Sequence, residues 1–169
     1  MAYSICEVDA NRCIASRPDP SEVKNSERVA RILHTDNSPS GVPDETTFPI
    51  DDLALRRRDA VDHSCGSSGG ASVQRTCATT IENLLQQSRD MAAAKPKRQA
   101  IGIALALVSE LRKITLDQMP GQVVFLLADG SNQDPGHTVI RFHPNLRGGL
   151  QKKVRKALID EFRKHLVRV

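Results

Sequence analysis

Ala100-Ile101-Gly102-Ile103-Ala104-Leu105-Ala106-Leu107-Val108 is the stretch on which the fold turns. Its Ala and Leu content favours helix. Its order favours strand, because Ile101, Ile103, Leu105 and Leu107 alternate with Gly102, Ala104 and Ala106, giving one large and one small face at period two. The alternation predicts a strand over 100–108, followed by a short helical turn opened by Ser109. Toward the C-terminus, 122–128 and 137–143 read as two further strands. The turn-forming Asp129-Gly130-Ser131-Asn132-Gln133-Asp134-Pro135-Gly136 between them invites antiparallel pairing. Residues 123–127 are the expected neighbour of 100–108.

Gly148-Gly149 then breaks the chain before a predicted helix over 149–167. Leu150, Val154, Leu158, Phe162 and Leu166 recur every four residues and trace one apolar stripe. Lys152, Lys156 and Arg163 fall within about 40° of one another on the far side, with Lys153 and Lys164 alongside. Toward the N-terminus, Thr79 and Glu82 form a capping box for a helix over 79–94 with Ile81, Leu84, Leu85 and Met91 at helical spacing. A first helix is expected over 20–34: Asp19 caps it, Pro20 suits its first position, Glu22 completes a capping box, and Val23, Ala30 and Leu33 face inward. Residues 35–50 are loop chemistry, Asp51-Asp52 opens a short helix running through Leu55 toward Arg56-Arg57-Arg58, and SCGSSGGAS at 64–72 is a flexible loop.

These elements define an α+β fold: a small antiparallel or mixed sheet packed by an N-terminal helix, a middle helix and a C-terminal amphipathic basic helix. Residues 1–18 are expected as a flexible N-terminus and 19–169 as a single domain, loop-rich at 35–78. At 169 residues the chain has room for one domain. Its 3% aromatic content, without Trp, makes for a thin core. No run of about 18 apolar residues and no basic-then-apolar leader is present. Four cysteines are too few for a disulfide scaffold, so a reduced, cytoplasmic setting is expected, with no membrane contact.

The net charge of +4 is unevenly placed. Residues 36–95 hold six Lys/Arg against nine Asp/Glu, whereas 147–169 hold eight against two. The basicity of the chain is therefore that of its last element, which suits phosphates or an acidic protein surface and is equally the pattern of a solvated helix face.

Asn25-Ser26-Glu27-Arg28-Val29-Ala30-Arg31-Ile32, then Phe48, then Ala71-Ser72-Val73-Gln74-Arg75, then Pro135-Gly136-His137-Thr138-Val139-Ile140 occur in that order. The series resembles a diffuse group of small bacterial proteins of unassigned function, with an N-E-x-x-A-R helix, a lone Phe, an S-V-x-R strand and a P-x-H-x-x-I strand. The resemblance implies a single small α+β domain and little about chemistry.

Three classes of function remain open. The first is a non-enzymatic binding module with an accessory role, contacting nucleic acid or an acidic partner through Lys152, Lys153, Lys156, Arg163 and Lys164; phosphate contact needs cations but no fixed spacing. The second is a protein–protein adaptor. The third is a small phosphate- or nucleotide-directed enzyme or toxin-like effector, in which Arg31 and Arg75 hold phosphate oxygens and Ser72 and His137 are the weak catalytic candidates. Its structural counterpart is a Glu27–Arg75 or Arg31–carboxylate pair that merely joins the first element to the sheet. His63, Cys65 and Cys77 are weak metal candidates, lacking the close paired spacing of zinc sites. Gly66-Ser67-Ser68-Gly69-Gly70 lacks the Lys-Ser/Thr of a phosphate loop, and no motif implies a cofactor.

Overall fold

In the computed structural model, which describes residues 23–53, 70–128, 134–143 and 145–169, the alternating stretch is a strand with a partner on each side. The strands are β1 (Arg28–His34), β2 (Ala71–Arg75), β3 (Ala100–Leu107), β4 (Val124–Ala128), β5 (His137–Phe142) and β6 (His165–Arg168). They form one antiparallel sheet in the order β4-β5-β2-β1-β3-β6. The helices are α1 (Ile50–Leu53), α2 (Ile81–Ala93), α3 (Val108–Arg112) and α4 (Gly148–Arg163), with a 3-10 turn at Thr76–Ala78. The expected α+β class holds, and β4 pairs with β5 as the turn chemistry between them implies.

The two faces of β3 explain how the layers close. Ile103 and Leu105 join Ala30 and Leu84 in a cluster beneath α2, while Ala104 and Ala106 belong to the main core with Val154, Leu158, Ile159 and Phe162 of α4. The small residues let α4 approach the sheet closely. Burying each of the large side chains contributes about 1.5–3 kcal/mol. Thr80 rather than Thr79 caps α2, its side chain accepting from the Asn83 amide, and Ser88 ties the helix down by donating to the Leu33 carbonyl at 2.7 Å.

Several expectations are corrected. Residues 28–34, placed in an N-terminal helix, form the central strand β1; 20–22 lie outside the described residues, and 23–27 are turn and coil. Of the N-E-x-x-A-R stretch, Ala30 and Arg31 lie in this strand and Asn25 and Glu27 precede it. Seven register pairs to β3 outweigh a local helical spacing that no tertiary contact rewards. The neighbours of β3 are β1 and β6, not 123–127. The last helix stops at Arg163, and Leu166 lies in β6, where it pairs with Ala104. Met91, at helical spacing from the buried Leu84, is 41% exposed. The short helix ends its described part at Leu53, so its expected run toward Arg56-Arg57-Arg58, like the 1–18 segment and the 64–69 part of the Gly/Ser loop, lies outside the described residues.

One feature of the sheet positions the polar residues. β1 and β2 are in register only at Val29–Arg75 and Ala30–Gln74. Beyond Ala30 the ladder opens and side chains take over its carbonyls: Arg31 Nη1 donates to Ser72 O at 2.6 Å and Asn37 Nδ2 to Ile32 O at 2.9 Å.

Candidate functional site

Arg31 stands on the α4 side of β1 between Val29 and Leu33, opposite Ala104, whose small side chain leaves it room. Its guanidinium crosses the opening between β1 and β2. Nη1 reaches Ser72 O, Nη2 donates to Thr47 O at 3.0 Å, and the cation lies 5.5 Å from the centre of the Phe48 ring. Phe48 in turn packs on Phe162 of α4, with ring centres 4.9 Å apart. Of the two alternative structural pairs, the Arg31–carboxylate one is absent among the described residues. Burial pulls the Arg31 pKa down and the field of Asp52 opposes that shift; an arginine stays charged regardless.

On the opposite side of the opening, beside α2, lies a pocket of about 450 Å³ lined among others by Arg31, His34, Ser72, Gln87, Met91 and Asp134. Ser72 Oγ is 3.2 Å from His137 Nε2, so the pair links β2 to β5 at the pocket's edge. Three of the candidates, Arg31, Ser72 and His137, are therefore joined in one chain of contacts. Arg75 is turned away from them: Nε and Nη2 grip Glu27 at 2.7 and 2.8 Å. That pair is the structural one that the sequence allows, joining the residues before β1 to β2. The Arg75 hydrogen bonds hold the Glu27 carboxyl at a pKa of about 2.

Cys77 belongs to the same corner, its thiol donating to Glu27 Oε2 at 3.4 Å. Burial first, then the Glu27 carboxylate, pushes the thiol pKa up, which opposes both nucleophilic and metal-ligand roles. His63 and Cys65 lie outside the described residues, and among those described no group of three His, Cys, Asp or Glu side chains gathers.

The second candidate region is the outer face of α4. Lys152, Lys153, Lys156, Arg163 and Lys164 are all exposed, but they are not equivalent. Arg163 Nε donates to Pro43 O at 2.7 Å and so anchors the 35–48 loop. Lys156 pairs with Asp160 at 2.9 Å and Lys164 with Glu161 at 2.6 Å, both solvent-facing pairs within the helix. Lys152 and Lys153 have no such partner among the described residues. Arg155, which the stripe-and-face reading passed over, lines a shallow depression of about 310 Å³ with Glu45, Lys152, Lys156 and Arg163. Its position nearer the apolar arc hid it. The helix starts without a side-chain cap and with no acidic residue in its first turn, so the positive end of its dipole adds to the lysines.

Among the described residues no helix is long and apolar enough to cross a membrane. No protein-family model, no curated protein and no solved structure matches the chain.

Proposed function

We propose that this protein is a non-enzymatic binding module that contacts nucleic acid through the basic face of α4. The observation that carries this reading is the set Lys152, Lys153 and Lys156: exposed, adjacent on one helix, and opposite the side that Val154, Leu158 and Phe162 bury. Those cations are not committed to the core, and phosphate contact requires only that they stand together in solvent. The face holds no aromatic residue for base stacking, which favours contact with the backbone rather than with base edges.

Binding should be largely independent of sequence and fall steeply with salt. Three neutralised phosphates release their counterions and give a log–log slope of about −2 to −3. The experiment is a salt titration of duplex binding by the wild type and by Lys152→Gln/Lys153→Gln/Lys156→Gln, with circular dichroism as the folding control. The triple variant should bind at least about tenfold more weakly at low salt and show a flatter slope. Wild-type protein that binds no duplex at low salt rules the reading out, and the same face is then to be tested against an acidic protein surface.

A further inference from the structure

The pocket beside α2 is independent of the basic face of α4, and two observations single it out. Among the described residues, Arg31 Nε and His34 Nδ1 are the buried side-chain polar atoms that lack a hydrogen-bond partner, and both residues line this one pocket. Leaving such an atom unsatisfied costs about 1–3 kcal/mol, so two at one cavity call for a common partner. The second observation is charge. The direct contacts of Arg31 are two neutral carbonyls and an aromatic ring; among the described residues no carboxylate is hydrogen-bonded to it, and Asp52 acts on it only through its field. A buried cation whose hydrogen-bond partners are all neutral is compensated only in part by such a field. Toward His34 the field is further raised by Lys95 and Arg98, the latter partly offset by its pair with Asp36 at 2.6 Å. Among the described lining residues Asp134 brings the one carboxylate, where it accepts from Gln74 at 3.0 Å.

We propose that this pocket binds a small molecule bearing an oxyanion, a carboxylate or a phosphate group. One oxygen accepts from Arg31 Nε and another faces His34 Nδ1, and the body of the ligand lies against Gln87 and Met91 of α2. A volume of about 450 Å³ is in the range of small-ligand sites. Both atoms are buried in residues that line the pocket, so binding requires a side-chain shift of Arg31 that brings Nε to the pocket while the bonds from Nη1 and Nη2 continue to brace the opening of the sheet.

The test follows the Arg31 Nε–H resonance by NMR during separate titrations with acetate and with inorganic phosphate, against sodium chloride at matched ionic strength. The expected result is a saturable shift in the millimolar range with at least one of the two, and which one responds assigns the group. Replacing Arg31 removes a brace of the sheet, so the decisive variant is Met91→Glu, which sets a like charge at an exposed rim position and leaves the buried residues intact. It should weaken binding about fivefold through a partly screened repulsion. No saturable shift with either anion overturns the proposal, as does a shift that Met91→Glu leaves unchanged; the two orphaned atoms then mark a buried hydration site only.

Discussion

Glu27 and Arg75 show how one pair can set the acid limit of the fold. The Glu27 pKa stands near 2 against 4.5 for the free side chain, so the folded state binds its proton more weakly than the unfolded state. Stability from this pair is complete above about pH 4.5 and is lost as pH falls toward 2. His34 and His143 act in the same direction at higher pH. Burial lowers both below the ordinary 6.5, so the unfolded chain takes up their protons first and stability declines as pH drops below 6.5. A urea midpoint measured against pH should therefore fall in two steps on the acid side. Glu27→Gln should shrink the lower step, to which Asp36 and Glu110 also contribute because Arg98 and Lys113 lower their pKa values, and should cost about 2 kcal/mol at neutral pH, since it leaves the Arg75 fork without its charged partner at a rim that solvent partly screens. A single acid transition unaffected by Glu27→Gln would contradict this account. The partners of Glu27 and Arg75 were within reach of sequence reasoning, as a polar pair set in apolar segments. The roles of His34 and Asn37 were not, because both depend on β1 and β2 parting after Ala30, an event of the ladder and not of any local motif.

At the scale of elements, Gly102 marks the place where β3 is least replaceable. It has φ of +138°, next to the point where the register with β1 skips Ile101, and a Cβ there would stand 2.0 Å from Val167 O in β6. Gly102→Ala must therefore separate β6 from β3 or distort both. The expected outcome is a loss of several kcal/mol, with hydrogen-exchange protection falling first at residues 165–168 while α4 stays protected. Uniform loss across the sheet would show that β6 does not open separately. The same neighbourhood explains what the sequence did and did not disclose. β3 could be read because its alternation of large and small residues is strict and each face meets a different helix layer. β1 could not: Val23, Ala30 and Leu33 mimic a helical face behind a convincing cap, and only the seven pairs with β3 reveal that Val29, Arg31 and Leu33 share one side. β6 was hidden by coincidence of spacing, since Leu166 continues the four-residue stripe of α4 after the helix has ended.

Across the whole molecule, the cations of α4 divide into those that hold the fold together and those that face outward. The 35–48 loop closes over one flank of α4 through Arg163 on Pro43 O, the Phe48–Phe162 contact, and Arg168 Nη1 on Gly41 O at 2.6 Å. Arg163 thus joins the helix to a segment 120 residues away in sequence, and its apparent membership of the basic face reflects angular position alone. Among the described residues Lys152 and Lys153 make no comparable contact, and the Lys156–Asp160 pair is largely exposed, where such pairs contribute little. Stability and binding should therefore separate by residue. Arg163→Gln is expected to cost about 1 kcal/mol, a fall in Tm of about 2–4 °C for a chain of this size, with little change in the affinity for duplex at low salt. Lys152→Gln/Lys153→Gln/Lys156→Gln should leave Tm within about 1–2 °C of wild type while removing most of the salt-dependent binding. Calorimetry and a salt titration on the same two preparations decide the matter. If Arg163→Gln weakens duplex binding as strongly as the triple variant while Tm stays fixed, the loop contact does not anchor the fold, and Arg163 belongs with the outward-facing cations.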